Sequence, residues 1–106
     1  MERDAELPPA LEMVCLSALW RIGEGNVADV RREVSLDKPL AYTTVLTLLD
    51  RLTHRGAVTR RKEGRRYRYR ALVARDDLRK RALARFLASH FDGSLTELRA
   101  FLEQPG

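Results

Sequence analysis

The 106-residue chain has one cysteine, Cys15, so no internal disulfide can form. Its setting among apolar residues reads as a buried thiol. Long apolar runs are missing as well. None approaches the roughly 20 residues that a bilayer-spanning helix needs. The N-terminus also lacks the basic-then-apolar layout of a signal peptide. The expectation is one soluble, cytoplasmic protein with no membrane partner. Histidine is scarce: His54 and His90 lie far apart, and neither has a metal-ligand neighbour three or four residues on. No Cys pair, HExxH pattern or phosphate-cradling glycine loop occurs. Thr43 and Ser17 have no base placed by the sequence to activate them. The reading is therefore no enzyme, no metal and no cofactor.

Acidic residues are the next shortage, and it is local. Residues 1–37 hold four basic groups against eight acidic ones, and residues 71–106 hold six against five. Residues 38–70 hold ten basic groups, opposed only by Asp50 and Glu63. Charge concentrated in one stretch without compensation is the footprint expected of a protein that binds a polyanion.

That stretch opens with LAYTTVLTLLDRLTHRG, residues 40–56. Val45, Leu48, Leu49 and Leu52 recur at the spacing of one helix face. Thr44, Thr47, Arg51 and His54 form the opposite stripe. Pro39 precedes the helix and Gly56 stops it. An aliphatic face toward a core and a Thr/Arg face outward suit a DNA major groove, because hydroxyls and guanidinium groups reach base edges or phosphates. The competing reading is an amphipathic core helix with a solvated back.

Upstream, Pro8 and Pro9 fit the start of a first helix over residues 9–22. Its buried face is expected to hold Leu11, Val14, Cys15, Ala18, Leu19 and Ile22, with Trp20 off that face. Gly23 and Gly25 close it. Asn26 is a good N-cap for a short helix over residues 27–34, with Asp29 in its first turn and Val27, Val30 and Val34 on its apolar side. Downstream, residues 57–62 read as a strand, Glu63-Gly64 as a turn, and residues 66–72 as a second strand in which Arg and Tyr alternate. Tyr67 and Tyr69 share one face, and Arg66, Arg68 and Arg70 the other. Three helices followed by a basic hairpin make a winged helix-turn-helix, with Gly64, Arg65 and Arg66 at the wing tip.

Two more helices follow. One, over residues 75–91, carries Leu78, Ala82, Leu83, Phe86, Leu87 and Phe91. The other begins at Ser94, which with Glu97 makes a capping box, and carries Leu95, Leu98, Phe101 and Leu102. They come after the winged domain is complete and still display an apolar face, so a second copy of the chain is the economical partner. The predicted fold class is mainly α (α+β): a winged helix-turn-helix over residues 1–73, with a two-stranded basic wing, then C-terminal dimerisation helices over residues 74–106.

The string LAYTTVLTLLDRL, then a glycine, then VTRRKEGRRYRYRALV, resembles the penicillinase-repressor family of the BlaI/MecI type. The likeness continues through RDDLRKRALARFLASHFDGS and covers roughly residues 8–103. It implies a bacterial transcriptional repressor acting as a homodimer on a palindromic operator in double-stranded DNA. The long helix would enter the major groove through Tyr42, Thr43, Thr44 and Thr47, and the wing through Arg65 and Arg66. The family's antibiotic-response branch is inactivated by a regulatory protease at a C-terminal Asn-Phe bond. The nearest equivalent here is Ala100-Phe101, which lacks the asparagine, and the chain ends sooner than in those repressors. The C-terminal cysteine cluster of the copper-responsive branch is absent.

The leading expectation puts Thr43, Thr44 and Thr47 on base edges and Lys38, Arg51, Arg65, Arg66 and Arg68 on phosphates. It puts Leu83, Phe86, Leu87, Phe91, Leu95, Leu98, Phe101 and Leu102 in a dimer interface. Two alternatives stand beside it: a winged-helix module serving a protein partner, and a repressor that senses a ligand or metal between subunits.

Overall fold

A computed structural model describes residues 7–105. The chain forms two compact units, one holding Pro8–Ala74 and the other the chain from Arg75 onward.

The first unit begins with α1, Ala10–Ile22. Its buried face is Cys15, Leu16, Ala18 and Leu19, together with one charged residue, Glu12. The expected face was rotated by part of a turn: Leu11 is exposed, Val14 and Ile22 are half-buried, and Leu16 is fully buried. The cause is Glu12, drawn inward by an ion pair with Arg55, whose Nε lies 2.8 Å from Oε1. Burial of the Cys15 sulfur, reinforced by the Glu12 charge, pushes its pKa up to about 11, so the thiol stays protonated at neutral pH.

Strand β1, Glu24–Gly25, follows directly. Gly25 is required here, because a Cβ on it would lie 2.8 Å from the Asp29 Cβ. Helix α2, Val27–Val34, starts with a capping box: the Asn26 side chain accepts from Asp29 N–H at 2.8 Å, and Asp29 Oδ2 accepts from Asn26 N–H at 3.0 Å. Helix α3, Tyr42–His54, buries Val45, Leu48, Leu49 and Leu52. Arg31 donates from Nε to the Leu40 carbonyl at 3.0 Å, holding the chain where it enters α3.

Strands β2, Val58–Glu63, and β3, Arg66–Ala71, pair antiparallel from Val58 opposite Ala71 to Glu63 opposite Arg66. Gly64 alone of the two linking residues has positive φ, at 66°, which fits a type II′ hairpin turn. β1 joins the other edge of β3, with Glu24 opposite Arg70, so the sheet order is β1-β3-β2. Tyr69 is buried on the helix side of this sheet. Trp20 donates from its indole N–H to the Val73 carbonyl at 3.0 Å, tying α1 to the chain after β3. The architecture is a winged helix-turn-helix, mainly α with a small antiparallel sheet.

The second unit holds α4, Arg75–His90, and α5, Leu95–Leu102. The Ser94 hydroxyl caps α5 by accepting from Glu97 N–H at 3.0 Å. Phe91 packs edge-on against Phe101, with ring centroids 5.5 Å apart, and against Phe86 at 5.6 Å. No helix among the described residues is long and apolar enough to cross a membrane.

Leu49 is completely buried and sits in the middle of the α3 face. Leu49→Ala is expected to lower unfolding free energy by about 2–5 kcal/mol. Urea titration followed by helix circular dichroism reads this as a lower midpoint; an unchanged midpoint contradicts the packing described.

Candidate nucleic-acid interface

With its four aliphatic residues turned inward, α3 presents Tyr42, Thr43, Leu46, Thr47, Arg51 and His54 to solvent. Thr43 and Thr47 stand one turn apart in the middle of this face, and the Thr47 hydroxyl donates to the Thr43 carbonyl at 3.0 Å. Thr44, expected in the outward stripe, is half-buried at its edge. Val45 beside it is fully buried, and a helix advances only about 100° per residue. His54 Nδ1 lies 3.0 Å from the Asp50 carbonyl. Leu46, 41% exposed, was absent from the sequence-based candidates; a leucine off the Val45, Leu48, Leu49 and Leu52 stripe was the missed signal.

The N-terminus of α3 is open. Ala41 is its N-cap and forms no side-chain capping bond, so the first N–H groups of the helix carry no side-chain partner. Such an end, with its partial positive charge, is suited to a phosphate.

The wing stands beside this face. Ala28, Tyr42, Leu46, Arg65, Arg66 and Tyr67 line a groove between the start of α2, α3 and the hairpin tip. Arg60 crosses from β2 to lie 4.2 Å from the centroid of the Tyr67 ring and 3.7 Å from the Asp50 carboxylate on α3. These contacts tie the wing to the long helix.

Ion pairing divides the basic residues into two sets. Arg55 pairs with Glu12, and Arg61 and Arg68 each reach a different oxygen of Glu24, both at 3.2 Å. Arg68 also reaches Glu63 at 3.5 Å. Among the described residues Lys38, Arg51, Lys62, Arg65, Arg66 and Arg70 form no ion pair and are exposed. Arg68, expected on a phosphate, is instead engaged with two carboxylates. The reason is β1: it adds to β3 and brings Glu24 across the sheet from residues 44 positions later. Hydrogen bonds from Arg61 and then Arg68 hold the Glu24 carboxyl below its ordinary range, and the Glu24 bond raises Arg68 in turn.

In the second unit Leu83, Phe86, Leu95, Phe101 and Leu102 are exposed, Phe91 and Leu98 are half-buried, and Leu87 is already buried within the chain. Ala100 and Phe101 lie inside α5. Among the described residues no group of three His, Cys, Asp or Glu side chains is placed to hold a metal ion.

The penicillinase repressor family model matches residues 9–105. The chain belongs to the penicillinase repressor family. It is 36% identical over 69 residues to the transcriptional regulator BlaI of Mycobacterium tuberculosis, covering 64% of this chain and 50% of that protein. It is 22% identical over 87 residues to the methicillin resistance regulatory protein MecI of Staphylococcus aureus, covering 82% of this chain and 71% of that one. The chain thus spans half the length of the BlaI relative it matches. Its fold is similar to the solution structure of the DNA binding domain of the repressor BlaI, with a TM-score of 0.58 and 27% identity over 68% of this chain and 90% of that one. It is also similar to a MarR family protein from Bacillus stearothermophilus, with a TM-score of 0.54 and 26% identity over 90% of this chain and 67% of that one.

The Glu24 bridge has a pH signature. Its folded pKa is depressed, so its contribution to stability is complete above the ordinary glutamate value near 4.5 and is lost as pH falls through the lower folded value. Glu24→Gln is expected to be less stable than the parent near neutrality, with the gap closing in acid well below that range. Urea midpoints of the two proteins across pH measure it; a gap independent of pH contradicts the bridge.

Proposed function

We propose that the chain is a sequence-specific transcriptional repressor that binds double-stranded DNA as a homodimer on a palindromic operator, and not an enzyme. The observation that carries this reading is the coincidence of two features. The outward face of α3 offers Thr43, Thr47 and Arg51, and beside it the wing tip offers Arg65 and Arg66 with no ion-pair partners among the described residues. The hydroxyls suit base edges, with Thr44 at the margin of that face and Tyr42 at its start, and Arg51 suits a phosphate beside them. Lys38, Arg65, Arg66 and the open N-terminus of α3 suit phosphates on either side. Family membership and the likeness to the DNA binding domain of BlaI point the same way.

The exposed Leu83, Phe86, Leu95, Phe101 and Leu102 support the dimer. Each such side chain contributes roughly 1.5–3 kcal/mol when fully covered, and a second copy supplies the covering face under two-fold symmetry. Half-buried Phe91 and Leu98 would complete that face, with Leu87 beneath it. Release of DNA through a regulatory protease at Ala100-Phe101 requires α5 to unwind first, because that bond lies within the helix.

The test is a binding titration against the DNA upstream of the chain's own gene and against scrambled DNA, at several salt concentrations. Expected is discrimination of about 10³ or more and a footprint of two half-sites whose centres lie about 10 base pairs, or a multiple, apart. Arg66→Ala should weaken binding to both DNAs and lower the salt slope by about 1, whereas Thr47→Ala should change preference among sequences. Failure to bind either DNA at moderate salt overturns the reading, and a single-half-site footprint overturns the dimer.

A further inference from the structure

The groove between α3 and the wing brings apolar side chains and guanidinium groups together. Tyr42, Leu46 and Tyr67 are 47%, 41% and 38% exposed, and all three line it with Arg65 and Arg66. A single exposed leucine needs no explanation. Leu46 is different in its company. It lies one turn from Tyr42 on α3, faces Tyr67 across the groove, and is bordered by guanidinium groups that no carboxylate of the described residues neutralises. A protein partner for such a groove would have to bring its own carboxylates. A nucleic acid brings phosphates for the guanidinium groups and has one apolar group to offer Leu46.

That group is the C5-methyl of thymine, which projects into the major groove and is the only apolar feature a base edge presents there. Leu46 is in the second turn of α3, within the N-terminal half of the helix, the part that reaches base edges in helix-turn-helix readers. The Thr47 hydroxyl donates to the Thr43 carbonyl, which leaves its oxygen free to accept from a base edge and leaves Leu46 to pack.

We infer that Leu46 is a specificity-determining residue that reads a thymine methyl group, so that the preferred DNA carries a thymine opposite it in each half-site. This rests on the DNA-binding function proposed above, and the test keeps the two apart. A duplex is first selected by the protein from a random pool at moderate salt. Each thymine is then replaced singly by deoxyuridine, which pairs identically and lacks only the methyl group. At one thymine in each half-site the parent protein is expected to bind the deoxyuridine duplex about fourfold more weakly, the worth of burying one methyl group. Leu46→Ala should bind the thymine and deoxyuridine duplexes equally at that position, and Leu46→Met should keep the preference. The thermal midpoint of each variant shows that it is folded.

A parent protein indifferent to every deoxyuridine replacement overturns the assignment while leaving sequence-specific binding intact. So does a Leu46→Ala variant that retains the full preference. A pool from which no duplex is enriched overturns the DNA-binding reading itself, and this inference with it.

Discussion

Everything on the outward side of this protein follows from the burial of four aliphatic residues of one helix. Val45, Leu48, Leu49 and Leu52 are 0–4% exposed, and they leave α3 a single way to face. Once they are inward, helical geometry sends Thr43 and Thr47 to the opposite side and leaves Thr44 and Leu46 at the margins. The ion pair of Glu12 with Arg55 then fixes the C-terminal end of α3 to α1, and the Arg31 bond to the Leu40 carbonyl fixes its entry. The reading face is therefore held at both ends by groups that do not themselves belong to it.

Charge is arranged on the same principle of division. Arg61 and Arg68 lie directly across from one another on adjacent strands, a like-charge juxtaposition that destabilises a sheet unless something intervenes. Glu24 intervenes, offering one oxygen to each. Arg61 and Arg68 in the middle of the wing thus serve the fold, while Arg65 and Arg66 at its tip keep their charges for a partner. A simple count of basic residues between positions 38 and 70 does not distinguish these two roles; only the pairing does.

What was legible in the sequence is what depends on neighbours a few residues away. Helix α2 and its Asn26 cap, the aliphatic face of α3 and the Gly64 turn are all local patterns, and each is present in the structure. What escaped depends on residues distant in the chain. The two residues of β1 make no strand by themselves; they exist as one because β3 offers them an edge. Glu12 is buried because Arg55, 43 positions on, lies beside it, and its burial rotates the apolar face of α1 away from Leu11. Arg68 looked free for the same reason, since its partner Glu24 lies 44 positions away. The hairpin alternation correctly separated Tyr from Arg, but only Tyr69 is buried; Tyr67, one step nearer the tip, is 38% exposed in the groove beside α3.

The central claim is that the outward face of α3 and the wing tip engage one DNA duplex together. The most direct measurement is amide chemical-shift mapping of the isotope-labelled chain during titration with a duplex selected for tight binding. Shifts confined to residues 41–51 and 63–67, saturating together at one stoichiometry, are the expected result. Shifts that spare α3 and the wing, or that concentrate on α4 and α5, would contradict it.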